Sequence, residues 1–318
     1  MAATERRIQR RLQRRRRQAP ELLRRDRALP TADQQLSIVS WNMLAHHLVR
    51  PEQRPQVNLT WPRRFGNFQL TLAPLRASIV CLQELGTEEA GDVCAFMATI
   101  GYEPVVRVRG HIKPGASGMS NAVFFRRDEW TAQWVEHGNR AMAVGLQETA
   151  ATERTLTVIN VHLEGNPRKF RDRQNGLHSI FQRARKHTAA GQPVVVCGDF
   201  NHPLHGTIAE YLLQGSLAAG ATDGPQDTVV TSKDLQHDFG LCSAYPAGRA
   251  GLGLPTIVDR PGDCATIDHV LYSSASLRCT GFLEPAAPDQ LQAHLQTGLP
   301  SSAHSSDHLP VGGTFQFL

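Results

Sequence analysis

Polar residues suited to phosphate and divalent-cation chemistry recur in this chain just after short apolar runs. Ile38-Val39-Ser40-Trp41 leads to Asn42, and Ile79-Val80-Cys81-Leu82-Gln83 leads to Glu84. Val158-Ile159-Asn160-Val161 leads to His162, and Val194-Val195-Val196-Cys197-Gly198 leads to Asp199 and then Asn201. Ile267 precedes Asp268, and Asp307 stands beside His308 near the end of the chain. Taken singly, each has an ordinary structural reading. Gly198-Asp199 suits a turn, Glu84 suits the acidic start of a helix, and a single histidine such as His162 suits a buried structural role.

Together they match what phosphodiester cleavage requires. A hard cation such as Mg²⁺ takes oxygen ligands, which Glu84, Asn42 and Asp307 supply. The ion polarises a phosphoryl group and holds a water. A carboxylate orients that water or takes its proton, and neutral Asn or protonated His meets charge on the non-bridging oxygens. A carboxylate beside a histidine keeps the imidazole charged and aimed. These groups can act together only if a rigid scaffold brings them to one cleft.

The runs that must position them are short and rich in branched residues. Leu36–Ser40, Ile79–Leu82, Ala122–Phe125, Leu156–Val161, Val194–Cys197 and Ile267–Tyr272 read as strands buried on both faces. Helical spacing lies between them: Phe65, Phe68, Leu72 and Leu75, then Leu177, Ile180, Phe181 and Ala184 with a stop at Gly191. Thr87 reads as the cap of another helix ending before Gly101, and Thr207 as the cap of a short one through Leu213, closed by Gly215. The Gly-, Pro- and Ser-rich stretches 110–120, 245–264 and 298–306 read as loops.

Charge and composition bound the rest. The 318 residues carry a net +5, but residues 1–30 hold 11 Arg and a net +8, so the body is mildly acidic at −3. Residues 1–35 are therefore expected to be an Arg-rich tail, disordered or helical, attracting nucleic acid non-specifically or serving as a targeting signal. Residues 36–318 are expected to form one catalytic domain. No apolar run reaches the ~18 residues that would suggest a membrane span, and the basic N-terminus lacks the apolar stretch of a secretory signal. The six cysteines include no C-x-x-C pair, and Cys81 and Cys197 lie in apolar runs as free thiols. An intracellular location in cytoplasm or nucleus is expected, with organelle targeting as the alternative. The sequence leaves oligomeric state open.

The succession Trp41-Asn42, Gln83-Glu84, Asn160-Val161-His162-Leu163, Gly198-Asp199-Phe200-Asn201, Ile267-Asp268-His269-Val270 and Ser306-Asp307-His308-Leu309-Pro310 resembles the endonuclease/exonuclease/phosphatase superfamily from about Leu36 to Leu318. The resemblance implies an α/β fold, a four-layer α/β sandwich with two mixed β-sheets packed face to face and helices outside. It also implies roles: Glu84 as principal Mg²⁺ ligand, Mn²⁺ serving as substitute, with Asn42 and Asp307 at or near the metal. Asp199 would orient or deprotonate the attacking water. Asn201 and His162 would contact the scissile phosphate, and His308, held by Asp268, would support the transition state.

Trp61-Pro62-Arg63-Arg64, His162-Leu163-Glu164-Gly165-Asn166-Pro167, Asp172-Arg173-Gln174, Leu283-Glu284-Pro285 and Gly298-Leu299-Pro300 are similar to segments of the carbon-catabolite-repressor deadenylase, nocturnin and angel branch. This implies a 3′-exoribonuclease, with Asn166 and Arg173 as substrate contacts. The cations Arg168, Lys169, Arg171 and Arg173 around Phe170 fit either a phosphate track or a solvated helix entry. Two features depart from that branch. Met119-Ser120-Asn121 stands where deadenylases often carry Asp-Gly, and residues 257–267 lack the aromatic that stacks on adenine in some of them. DNA, 2′,5′-oligoadenylate, a dinucleotide and a phospholipid are the alternative substrates. A non-catalytic RNA-binding protein is the alternative class.

Overall fold

A computed structural model of the chain describes residues 35–106, 118–245 and 254–318. The Arg-rich N-terminal segment, most of the predicted 110–120 loop and part of the 245–264 loop lie outside these residues.

Twelve strands form two six-stranded sheets. They are β1 (Gln35–Asn42), β2 (Ile79–Gly86), β3 (Tyr102–Val106), β4 (Met119–Arg126), β5 (Trp130–His137), β6 (Ala141–Glu148), β7 (Thr155–His162), β8 (Val194–Asp199), β9 (Leu241–Ser243), β10 (Asp268–Ser273), β11 (Leu277–Leu283) and β12 (Val311–Phe317). The first sheet runs β11-β12-β1-β2-β4-β3 and the second β9-β10-β8-β7-β6-β5. Each is antiparallel except for one central parallel pair, β1 with β2 and β7 with β8. A parallel pair needs a long crossover. The first contains α1 (Trp61–Leu72) and the second α3 (Phe170–Ala184).

Side-chain alternation along these strands builds the layers. Ile38, Ile79, Cys81, Val123, Val158, Val195, Cys197, Val270 and Phe315 face between the sheets and form the central core. The intervening residues face outward. Val39, Trp41, Val80 and Leu82 pack with Phe68 and Leu72 of α1 and with Val93 and Met97 of α2 (Ala90–Thr99). Ile159, Val161, Val194 and Val196 pack with Leu177, Ile180 and Phe181 of α3 and with Ile208, Tyr211 and Leu212 of α4 (Gly206–Gln214). The result is the expected four-layer sandwich. A peripheral helix, α5 (Pro288–Thr297), has no buried residue of its own.

Three local expectations are corrected. Thr87 does not cap α2, since its hydroxyl donates to the Gly118 carbonyl at 2.9 Å and the helix starts at Ala90. Thr207 lies inside α4, its hydroxyl and amide both donating to Asp223. Helix α3 stops at Ala184, ahead of Gly191. Gly215 does close α4, with φ +77°. The 245–264 stretch also contains a hairpin, Ile257–Arg260 paired with Asp263–Ala265.

Gly198 sets the contact between the parallel strands β7 and β8. Its φ is +142°, and a Cβ there would lie 1.9 Å from the Val161 carbonyl oxygen. Gly191 has φ +78° but open space around it. Gly198→Ala is therefore expected to cost about 3 kcal/mol from combined backbone strain and overlap, and Gly191→Ala about 1 kcal/mol. Thermal melts check this. For a domain of this size the first change should lower Tm by roughly 6–12 °C, and the second by a few degrees.

Candidate active site

The inward-facing side chains of the central strands change from apolar to polar at one end of the sandwich. Ser40 is followed on that face by Asn42, Cys81 by Gln83, Val158 by Asn160 and His162, and Cys197 by Asp199. Asn42, Glu84, His162 and Asp199 thus stand at or near the C-terminal ends of the two parallel pairs, where His162 and Asp199 are register partners. Strand β10 runs antiparallel to β8 and contributes Asp268, the cross-strand partner of Asp199. The segment entering β12, which runs antiparallel to β1, contributes Asp307 and His308.

Glu84 reaches this face through a break in β2. Between Leu82 and Leu85, two residues, Gln83 and Glu84, stand against one on β4, Asn121, and Glu84 adopts φ +55°. A bulge of this kind redirects a side chain, and left-handed backbone at a non-glycine residue is a stored cost typical of functional positions. Asn201, at φ +49°, is a second such residue. Its type tolerates that conformation well, and its backbone N–H donates to Asp199 Oδ1 at 2.7 Å.

The groups form one connected cluster. Asn42 Nδ2 donates to Glu84 Oε1 at 3.1 Å and to Asp199 Oδ2 at 3.0 Å, while its own Oδ1 accepts from Leu44 N. The second Glu84 oxygen accepts from Ala45 N at 3.0 Å. His162 Nε2 lies 3.6 Å from Glu84 and 3.7 Å from Asp199. His308 Nδ1 donates to Asp268 Oδ2 at 2.9 Å, and its Nε2 lies 3.7 Å from Asp199. Asn201 Nδ2 donates to the Leu163 carbonyl, which brings Asn201 beside the loop after His162.

Further side chains hold these in place. Trp41 Nε1 and His304 Nε2 both donate to the His308 carbonyl, at 2.8 Å each. Ser306 Oγ donates to the Asn42 carbonyl and accepts from His308 N, joining the β1 end to the β12 entry. Thr256 Oγ1 accepts from the backbone N–H of Ile267 and Asp268. Below the cluster, Gln83 Nε2 donates to Asn160 Oδ1 at 2.8 Å, and Asn160 Nδ2 donates to carbonyls of β2 and β4. Buried Arg64 donates to the carbonyls of Met43, Leu44 and Ser305. Sequence reasoning singled out neither Gln83 nor Asn160 as a support. A polar residue in phase with the core face of a strand is the signal that would have found both.

Electrostatically the site is short of positive charge. Glu84, Asp199 and Asp268 are buried and Asp307 is partly so. Among the described residues, ion-pair contacts to these four carboxylates come from the imidazoles of His162 and His308 alone. Burial alone would depress His308, but Asp268, Asp199 and Asp307 together hold its pKa well above the ordinary value. Burial pushes the Asp307 carboxyl up, with Glu84 adding to the rise and His308 opposing it. Asp268 Oδ1 is buried with no hydrogen-bond partner among the described residues. This excess of carboxylate oxygen fits a bound hard divalent cation. Asp199, Asp268 and His308 also offer ligand atoms within 4.8 Å of one another. Because His308 Nδ1 already bonds Asp268, those two form an acid–imidazole pair.

Two expected substrate contacts fare differently. Asn166 is exposed on the loop beside Asn201, its Oδ1 accepting from Arg168 N. Arg173 is only 1% exposed, and its Nη atoms donate to the carbonyls of Glu164, Asn166 and Pro167 at 2.7–3.0 Å. Its guanidinium also lies over the Phe170 ring at 4.9 Å. Arg173 therefore holds the loop that carries Asn166, with its own side chain withdrawn from solvent. The four nearby cations do not form one track either, since Arg171 bonds the Val229 carbonyl and Lys169 pairs with Asp172.

A rigid four-layer sandwich with carboxylates, amides and imidazoles gathered at one end defines a phosphoesterase class of site. The Endonuclease/Exonuclease/phosphatase family model matches residues 39–308, and the chain belongs to that family of metal-dependent hydrolases acting on phosphodiester bonds. Its relatives lie in the Ccr4, angel and nocturnin branch. The Saccharomyces cerevisiae CCR4-Not complex 3′-5′-exoribonuclease subunit Ccr4 is 22% identical over 92% of this chain and 40% of its own length. Protein angel homolog 2 of Bos taurus is 24% identical over 89% of this chain and 69% of its own. The chain thus spans about two-fifths of the Ccr4 relatives it matches. Among solved structures, ANGEL2, a 2′,3′-cyclic phosphatase, in complex with adenosine-2′,3′-vanadate, aligns with TM-score 0.71 at 22% identity, covering 89% of this chain and 96% of that one. The human Nocturnin catalytic domain aligns with TM-score 0.66 at 19% identity, covering 89% and 95%.

The linkage at His308 has a definite sign. A folded-state pKa raised above the unfolded ~6.5 means the His308 proton contributes its full stabilisation below that pH. The contribution is lost as pH rises through the folded value. An NMR titration of the imidazole is expected to give a midpoint above 6.5 in the native protein, and Asp268→Asn should lower it. A His308 midpoint unmoved by Asp268→Asn would contradict the pairing.

Proposed function

We propose that the protein is a Mg²⁺-dependent phosphodiesterase that hydrolyses RNA from its 3′ end, with Mn²⁺ able to substitute. The observation that carries this reading is the single cluster of Asn42, Glu84, His162, Asp199 and His308, drawn from both sheets and connected by contacts of 3.0–3.7 Å. The relatives named as 3′-5′ exoribonucleases support the RNA end as substrate.

Glu84, with Asn42 and Asp307 beside it, would hold the cation. When bound, the ion supplies Lewis acidity at a phosphoryl oxygen and offsets the carboxylate charge. Asp199 is anchored by the Asn42 amide and the Asn201 N–H. In that position it orients a water for attack on phosphorus and receives its proton. His308, kept charged by Asp268, donates a hydrogen bond to a non-bridging oxygen as negative charge builds there. His162 and the Asn201 amide steady the same phosphate from the opposite sheet, and Asn166 lies where it can meet the adjoining sugar or base. Arg173 acts only through the loop.

One observation favours a second reading, hydrolysis of a 2′,3′-cyclic phosphate at an RNA 3′ end. The fold aligns with an angel structure whose ligand is a cyclic adenosine vanadate, and the 257–267 hairpin offers no aromatic for base stacking.

Labelled RNAs ending in a 3′-hydroxyl or a 2′,3′-cyclic phosphate separate the two readings. With Mg²⁺ the hydroxyl-ended RNA is expected to shorten from its 3′ end. EDTA should abolish the reaction, and Asp199→Ala should slow it roughly 10²–10⁴-fold. Ring opening without shortening would select the second reading. Equal turnover with EDTA and with Asp199→Ala would contradict both.

A further inference from the structure

Arg140 lies in the turn between β5 and β6, outside every role described so far. Its carbonyl accepts from the His162 N–H at 2.8 Å, so its backbone is tied to the reacting end of β7. Beside it is a recess of about 210 Å³, whose lining includes Ser120, Asn121, Asn139, Arg140 and His162. His162 is thus shared between the recess and the carboxylate cluster. Among the described residues of that lining, Arg140 is the only Lys, Arg, Asp or Glu. The other polar groups there are neutral amides, a hydroxyl and imidazoles, a set suited to an oxyanion.

Among the described residues, the Arg140 side chain is held by one ion pair. Its Nη2 lies 3.2 Å from Glu164 Oε2, with the two side chains 36% and 19% exposed. Glu164 does not depend on that contact. Its Oε1 accepts from Asn166 N at 3.1 Å, and that N–H is the largest influence holding the carboxyl below its usual range, ahead of Arg140, Lys169 and Arg173. Releasing Arg140 therefore leaves no stranded carboxylate. A guanidinium parked on a half-exposed partner is readily exchanged for a phosphate, which its planar fork can grip with two parallel bonds.

We infer that this recess is a binding subsite for a second phosphate of the substrate strand, next to the scissile one, with Arg140 as its cation and Glu164 as the partner from which Arg140 is released. The inference rests on the phosphodiesterase reading for the direction of the strand across His162, but the binding itself needs no turnover. The subsite makes a strand with two phosphates a better ligand than one with the scissile phosphate alone.

Binding and cleavage of the RNA trinucleotide ApApA and the dinucleotide ApA test this on the full chain. Binding is measured with Ca²⁺ in place of Mg²⁺, and cleavage with Mg²⁺. Arg140→Gln is expected to weaken ApApA binding about tenfold, to lower the salt dependence of log K by about 0.7 per lost contact, and to leave ApA unchanged. In cleavage, the loss should appear in KM for ApApA with kcat preserved. Glu164→Gln keeps the acceptor for Asn166 N but frees Arg140, and should tighten ApApA binding. Equal weakening of both ligands by Arg140→Gln, or of neither, would overturn the subsite. Arg140-dependent binding without cleavage of either RNA would uphold the subsite while overturning the proposed activity. A melting temperature for Arg140→Gln equal to that of the native chain is expected and guards against reading a folding defect as lost binding.

Discussion

Asp199 and Asp268 are cross-strand neighbours on β8 and β10, buried at the same end of the inter-sheet layer. Like charges placed side by side on a sheet repel, and these two lie in one cluster with Glu84 and near Asp307. The sandwich tolerates this crowding because positive and donor groups are inserted from the opposite sheet. His308 stands between the two aspartates, and the Asn42 amide bridges Glu84 to Asp199. Even so, carboxylate charge exceeds what these groups offset. That residual negative potential favours a cation at this end of the sandwich, and it is the constraint to which the surrounding structure answers.

The answer is rigidity in the supports. His308 is fixed from outside by Trp41 and His304 through its carbonyl, and Trp41 is itself stacked on Phe68 at 5.4 Å. Glu84 and Asn201 occupy left-handed backbone that the neighbouring hydrogen bonds maintain. Gly198 lets β7 and β8 approach closely enough for His162 and Asp199 to stand in register. The core packing and the site geometry are therefore one problem, solved by the same alternation along each strand.

That alternation also explains how much could be read beforehand. The apolar runs ending in Asn42, Glu84, His162 and Asp199 were legible because the central strands are buried on both faces and leave unmistakable hydrophobic stretches. Strands β5 and β11 were not, because exposed residues such as Thr131, Gln133 and Arg278 and the half-buried Thr280 interrupt the pattern. Helix α5 buries no residue and gave no stripe. Thr87 and Thr207 looked like caps by residue type, yet each donates its hydroxyl to a tertiary partner, Gly118 or Asp223, that local sequence cannot specify. Arg173 looked like a ligand for phosphate because of its charge. Its burial under the 164–167 loop follows from packing on Phe170 and from three carbonyls converging on it, which no spacing rule encodes. The chemistry at the strand ends was readable and its second layer of support was not, since that layer is made of long-range contacts.

The surplus carboxylate charge around Glu84 is expected to bind a divalent cation. A titration with Mn²⁺ followed by electron paramagnetic resonance tests this without reference to any substrate. One tight site is expected in the native chain, competed by Mg²⁺, and it should be lost in Glu84→Gln while the melting curve stays cooperative. Tight Mn²⁺ binding that is unchanged in Glu84→Gln would contradict it.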